Sequence, residues 1–149
     1  MTSISYDDIF SYFLGEINDI ELVSLEISSA YSVMCEYLHK AIAKPYVRKL
    51  FSCIEFDDEI LTLNYETKRK INNDFILDII AKGMVVEWLQ RQVKNRTNIA
   101  QFLGGKEQKM FSQAQHISEL RALLKDTKLE QRNLINNYGY INNSYIGEL

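Results

Sequence analysis

Residues 74–94 place apolar side chains on almost every side of a predicted helix. The one polar stripe consists of Asp74, Asp78 and Lys82, which are four residues apart and so share a helix face. A helix that is apolar on most sides lies inside a protein or a membrane. Charges recur every four or five residues and leave no window of about 18 apolar residues, which excludes a membrane span. We therefore predict a buried central helix around which the other segments pack.

Composition favours a single all-α domain. A chain of 149 residues fits one domain, and its single proline and six glycines favour long helices over many short strands. We expect a multi-helix domain over residues 1–137, with long central and C-terminal helices, and an extended docking tail over residues 138–149. Residues 1–5 carry neither a basic region nor an apolar run, so no signal peptide is expected. Cys35 and Cys53 are expected to be reduced thiols.

Two helices are predicted before the central one. Ser5 is placed to cap a short helix that Gly15 ends. A second helix is expected from residue 18 or 19 to residue 43, and Pro45 then breaks it before a further helical turn or two over residues 46–51. The expected apolar face of the first helix consists of Ile9, Phe10, Phe13 and Leu14.

Residues 53–72 allow two interpretations. Apolar residues alternate at 54 and 56 and again from 61 to 65, which is typical of a short β-hairpin within residues 53–65. The acidic residues 57–59 between them would also suit the start of a helix, although we favour the hairpin. Asn73 is predicted to cap the central helix.

The last helix is predicted to carry unlike charges on its two sides. A capping box at residues 112–115 opens it, and it runs to about Asn136. Its apolar face consists of Ile117, Leu120, Leu123, Leu124, Leu134 and Ile135. The basic flank consists of Arg121, Lys125, Lys128 and Arg132, and the acidic flank of Glu119, Asp126 and Glu130. Three interpretations of these flanks are open. They are solvated edges of the helix, or they are the contact surfaces of neighbouring subunits in a ring. In the third interpretation the basic flank contacts nucleic acid.

Residues that could carry chemistry occur only in incomplete patterns. Glu36 and His39 have the spacing of a di-iron ligand pair, but the second copy is missing because residues 116–119 hold the reverse order. Cys35 has no nearby cysteine with zinc-site spacing. Residues 104–106, Gly-Gly-Lys, lack the rest of a phosphate-binding loop. We expect no enzymatic activity, no metal site and no cofactor.

Several short motifs spread over nearly the whole chain carry a family resemblance. They are Ala43-Lys44-Pro45-Tyr46, Glu87-Trp88-Leu89, Gly105-Lys106-Glu107-Gln108-Lys109, Phe111-Ser112-Gln113-Ala114, His116-Ile117-Ser118-Glu119-Leu120-Arg121 and Gly139-Tyr140-Ile141-Asn142-Asn143. With these motifs the chain resembles small structural proteins of tailed bacteriophages, the head–tail connector, portal adaptor or head-completion proteins.

The resemblance implies a helical subunit of the virion neck that is assembled in the host cytoplasm. About twelve copies would form a ring that matches the portal, lines the passage for packaged DNA and meets a stopper or tail-completion protein. It also implies that the C-terminal tail docks on the portal, through Tyr138, Tyr140, Ile141, Tyr145 and Ile146. Two alternatives remain: a protein-binding module outside the virion, such as a host-takeover factor or assembly chaperone, and a DNA-binding regulator that uses the basic flank.

Overall fold

A computed structural model describes residues 1–17, 27–102 and 107–141 of the chain. In chain order its elements are β1 (Thr2–Ser5), α1 (Tyr6–Glu16), α2 (Ile27–Ala43), α3 (Pro45–Arg48), β2 (Phe51–Asp57), β3 (Thr62–Thr67), α4 (Asn73–Phe102) and α5 (Glu107–Ile141). The described part is mostly helical, with five helices and one antiparallel sheet of three strands. The fold is therefore α+β, and the expectation of an all-α domain was wrong.

The sheet has the order β1-β3-β2, with both pairs antiparallel. Strands β2 and β3 confirm the hairpin within the ambiguous segment, although each extends about two residues beyond residues 53–65. Strand β1 was missed because four residues are too short to show a clear alternation. Its partner is also distant in sequence, since Ile4 is paired with Leu63. Both of these side chains are buried under the helices.

Helix α1 starts where the sequence predicts. The backbone N–H of Asp8 donates to the Ser5 hydroxyl at 3.2 Å, which confirms Ser5 as the N-cap. The predicted apolar face is buried at Ile9, Phe10 and Phe13, but Leu14 is exposed. Tyr6, the first residue of the helix, is buried as well. The buried face of α1 therefore consists of Tyr6, Ile9, Phe10 and Phe13, without Leu14.

Helix α4 forms the centre of the domain, as predicted, and packs against α1, α2 and α5. Its fully enclosed side chains include Ile76, Ile79, Ile80, Met84 and Leu89, whereas Trp88 and Phe75 are only partly buried. Among the described residues, no helix combines the length and apolar character needed to cross a membrane.

The N-terminal cap of α4 is shifted by one position from the prediction. Asn72, and not Asn73, accepts a hydrogen bond from the backbone N–H of Asp74, at 3.1 Å. The side chain of Asn73 instead accepts a hydrogen bond from the Tyr65 hydroxyl at 2.5 Å. This contact joins the start of the central helix to strand β3.

Three helices meet at Gly83 in the middle of α4. A Cβ atom added at Gly83 would lie 2.9 Å from Nε2 of Gln131 in α5 and 3.0 Å from Cβ of Ala41 in α2. Gln131 is only 1% exposed, and its Nε2 donates to the backbone carbonyl of Ile79 at 3.2 Å. The absence of a side chain at Gly83 therefore sets how closely α2 and α5 approach the central helix.

Helix α5 is longer than predicted at both ends. It begins at Glu107, so the proposed capping box at residues 112–115 lies inside the helix and does not open it. It continues to Ile141, so residues 138–141 belong to the helix and not to an extended tail. Residues 142–149, the predicted start of the second helix at 18 or 19, and Gly104-Gly105 lie outside the described residues.

The turn between β2 and β3, residues 58–61, is attached to the start of α1. The Tyr6 hydroxyl donates to Oδ1 of Asp58 at 2.6 Å, and the backbone N–H of Tyr6 donates to the carbonyl of Leu61 at 2.9 Å. The hydrogen bond from Tyr6 holds the pKa of the Asp58 carboxyl below its ordinary value, with a further contribution from His39. Burial, followed by the same hydrogen bond, raises the pKa of Tyr6.

Replacing Gly83 with alanine tests the helix crossing. In a helix interior, alanine is normally about 1 kcal/mol more stabilising than glycine. We nevertheless expect Gly83→Ala to lower the free energy of unfolding by about 1–3 kcal/mol, because the added methyl group has no room between the helices. Urea unfolding measures the change. Gly15→Ala is the matched control, since nothing lies within 4 Å of a Cβ there. An equal gain in stability for both variants would contradict the close packing at Gly83.

Replacing Tyr6 with phenylalanine tests the attachment of the turn. Because the pKa of Asp58 is lowered on folding, its stabilising contribution is present above its unfolded-state pKa and is lost as the pH falls through its folded-state pKa. We expect Tyr6→Phe to lower the free energy of unfolding by about 1 kcal/mol at neutral pH, because the lost hydrogen bond joins a buried hydroxyl to a largely exposed carboxylate. In acid, where Asp58 is protonated, the loss should be smaller. Urea titrations at both pH values measure this. Tyr12→Phe, on the exposed side of α1, should show no such pH dependence.

Candidate subunit interface

The side of α5 that faces the domain is less apolar than predicted. Ile117 and Ile135 are buried and Leu120, Leu124 and Leu134 are partly buried, as expected of the apolar face. Leu123, however, is 50% exposed. Thr127 and Gln131 are buried in this face, and sequence reasoning missed them because their side chains are polar. The Thr127 hydroxyl avoids the cost of burial by donating to the carbonyl of Leu123 at 2.8 Å.

The basic flank of α5 is open to solvent. Three of its four side chains are exposed and Lys128 is half-exposed. None of the four is within 4.0 Å of a carboxylate among the described residues. A surface depression of about 360 Å³ runs along this flank, bordered also by Leu124, Asp126 and Leu129. Since Leu129 is 58% exposed, the depression combines unpaired positive charge with an uncovered apolar side chain.

The acidic flank of α5 is partly engaged within the subunit. Glu119, Asp126 and Glu130 are all exposed, but Oε2 of Glu130 lies 3.7 Å from Nζ of Lys82. Lys82 also lies 3.2 Å from Oε1 of Glu16, at the end of α1. Glu130 therefore faces a cation of its own chain.

Lys82 joins three helices through its charge. It is only 18% exposed and has three carboxylates around it: Glu16 from α1, Asp78 from α4 and Glu130 from α5. Burial alone would lower the pKa of Lys82, but these carboxylates raise it above its ordinary value. Through Lys82, the predicted polar stripe of the central helix thus contacts both α1 and the acidic flank of α5. The basic flank lies on the other side of α5 and is directed away from α1.

The residues considered for chemistry are not brought together. Glu36 pairs with Lys40 at 2.8 Å, whereas His39 turns to Asp58 at 3.4 Å and stacks on Phe56. Cys35 and Cys53 are free thiols, and burial raises the pKa of Cys35. Within the described part of the chain, no group of three His, Cys, Asp or Glu residues is arranged to hold a metal ion.

A polar groove lies between α2 and α4. Glu36 pairs with Lys40 there, whereas Arg91 and Lys94 have no carboxylate within 4.0 Å among the described residues, so the groove holds two such cations against four on the basic flank. The buried carboxylate of Glu87 lies 3.3 Å from Nζ of Lys44 without hydrogen-bond geometry, and Arg91 donates to the Tyr37 hydroxyl at 3.4 Å. The groove therefore offers less unpaired charge than the basic flank.

The predicted docking tail lies mostly beyond the described structure. Tyr138, Tyr140 and Ile141 are in the last turns of α5, and only their backbone is described. Tyr145 and Ile146 fall outside the described residues. Their role in docking stays a prediction.

Comparisons with protein-family models, with curated proteins and with solved structures find no match to this chain. What the surface of α5 can do therefore follows from its own geometry. Two flanks of opposite sign on one long helix are suited to contact the unlike surface of a neighbouring molecule.

Charge reversal distinguishes an interface residue from one that stabilises the fold. We expect Lys125→Glu to change the free energy of unfolding by less than about 0.5 kcal/mol, because Lys125 is exposed and unpaired among the described residues. Lys82→Met should lower it by about 1–2 kcal/mol, because three carboxylates then lose their shared cation. Urea unfolding of both variants checks this. A large loss for Lys125→Glu would show that the basic flank serves folding.

Proposed function

We propose that this protein is a non-enzymatic structural component of a tailed bacteriophage virion. It would be a head–tail connector that forms a ring between the portal and the tail or stopper and lines the DNA passage. The proposed class of protein rests on the resemblance in short motifs along the chain. The structural observation that supports assembly into a ring is the pair of oppositely charged flanks on α5, since the basic flank has no carboxylate partner among the described residues.

The proposed mechanism is association. In a head-to-tail ring each subunit uses two different surfaces, and closure of the ring leaves neither surface unpaired. The basic flank supplies one such surface, since among the described residues its cations have no carboxylate partner and Leu129 is 58% exposed. A rigid core around α4 keeps the two surfaces of each subunit at a constant angle, as a closed ring requires.

The proposed partners follow from this position in the neck. Further copies of the chain complete the ring, the portal binds the C-terminal tail, and a stopper or tail-completion protein binds the opposite side. Packaged DNA passes through the ring with only non-specific contacts. Assembly takes place in the host cytoplasm, and the mature location is the virion neck.

The basic flank, which has no carboxylate partner among residues 1–17, 27–102 and 107–141, also favours a second candidate, a DNA-binding regulator. The four cations lie within 12 residues of helix and span about 16 Å, which is enough to follow a phosphate backbone. If they bind DNA, the logarithm of the affinity falls steeply with the logarithm of salt concentration, with a slope near −0.9 for each phosphate neutralised. Asp126 at the edge of the depression weakens this alternative, since it repels phosphate.

The composition of purified particles tests the proposed function. We expect the wild-type chain in mature virions at about a dozen copies per particle, as a ring matched to the portal implies. The double variant Lys125→Glu, Arg132→Glu should fold but be depleted from particles, as quantified by mass spectrometry.

Two further variants serve as references in the same experiment. Lys94→Glu, a charge reversal at an exposed position of α4, is the control and should be incorporated normally. A chain that ends at Ile141 lacks Tyr145 and Ile146 of the predicted docking tail, and we expect it to fold but to bind the portal more weakly. Complete absence of the wild-type chain from mature virions would contradict the proposal.

A further inference from the structure

We propose that the turn between β2 and β3 of one copy docks into the depression on the basic flank of α5 of the next copy. This inference rests on the proposed ring and identifies its subunit contact. The turn supplies the exposed side chain of Ile60 next to carboxylates, and the basic flank supplies Leu129 in a depression lined by four cations and one carboxylate, Asp126.

Hydrogen bonds within the subunit hold the β2–β3 turn in a defined conformation. Oδ1 of Asp57 accepts hydrogen bonds from the backbone N–H groups of Glu59 and Ile60, both at 3.2 Å. Leu61 has a φ of 56°, a left-handed conformation that leucine seldom adopts. Its carbonyl accepts the hydrogen bond from the Tyr6 backbone N–H, which retains this conformation. A preorganised turn loses little conformational entropy on binding.

The shape of the turn leaves an apolar residue uncovered at its tip. Ile60 is 68% exposed, although burial of an isoleucine side chain is favourable. The flanking carboxylates of Asp58 and Glu59 are also exposed. The first turn of α1, which begins at Tyr6, carries two further exposed carboxylates, Asp7 and Asp8.

The depression on α5 has the complementary arrangement. Leu129 and Leu124 provide an apolar surface for Ile60. The four cations of the depression outnumber its one carboxylate, Asp126, and would pair with the carboxylates of the turn in the docked complex. Asp58 already accepts hydrogen bonds from Tyr6 and His39, which leaves Glu59 as the best-placed partner for a cation of the basic flank.

The two surfaces are separated within one subunit. Lys82 brings the acidic flank of α5 next to Glu16, at the C-terminal end of α1, so the basic flank faces away from α1. The turn adjoins the opposite end of α1, about 16 Å along a helix of 11 residues. Contact between unlike surfaces on different sides of a subunit is heterologous, and such contacts generate rings when the rotation closes.

Disulfide trapping between two full-length variants tests the contact. One variant carries Ile60→Cys and a size tag, and the other carries Leu129→Cys. We expect their mixed dimer to form at least about tenfold faster under mild oxidation than random collision allows, because docking raises the local thiol concentration. A variant with Leu123→Cys is the matched control, since Leu123 has similar exposure on the same helix away from the basic flank. The wild-type chain reports any background from its own cysteines.

A charge exchange gives an independent readout. Glu59→Lys in the first variant should slow trapping at residue 129, and Lys125→Glu in the second variant should restore it. Equal trapping at residues 123 and 129, or no rescue, would overturn the docking proposal.

Sedimentation and particle content separate the two proposals. If the chain sediments as a multimer but is not trapped at residue 129, another surface forms the ring, and the proposed function still stands. If the chain is missing from mature particles, the proposed function itself fails, whatever the trapping result.

Discussion

The close approach of three helices at Gly83 is the constraint on which the rest of the structure depends. With no side chain at this position, Ala41 of α2 and Gln131 of α5 both reach the backbone of the central helix. Lys82, the residue before Gly83 in α4, forms ion pairs with Glu16 of α1 and Glu130 of α5. The packing of the core therefore also decides which flank of α5 faces the domain and which faces outward. The proposed assembly surface is a consequence of a contact made deep in the interior.

The sheet extends this organisation to the other side of the molecule. Strand β1 pairs with β3, and Tyr6 immediately after it binds both the side chain of Asp58 and the carbonyl of Leu61. These bonds make the β2–β3 turn part of the same rigid body as α1. A subunit whose acidic turn and basic helix are both anchored to one core presents two unlike surfaces at a constant angle, which is what a closed ring of identical copies requires.

Predictions from short sequence patterns were confirmed where the structure depends on contacts between residues close together in the chain. Ser5 caps α1 because its hydroxyl needs to reach only three residues along the chain. The alternation around β2 and β3 marked a hairpin because its strands are neighbours in sequence. The capping box at residues 112–115 misled, since a Ser-x-x-Gln pattern also fits inside a helix whose start is set elsewhere. The exposure of Leu14 was equally unpredictable, because it depends on which side of α1 meets α4.

The periodicity of the chain by itself determined that a buried central helix exists and that α5 carries unlike charges on its two flanks, since both follow from 3.6 residues per turn. Only the tertiary structure decided that β1 joins the sheet, that Gln131 is buried and that Glu130 faces Lys82. Each of these depends on residues far apart in the chain, and their meeting is selected by the packing of the whole core, which no short window of sequence contains.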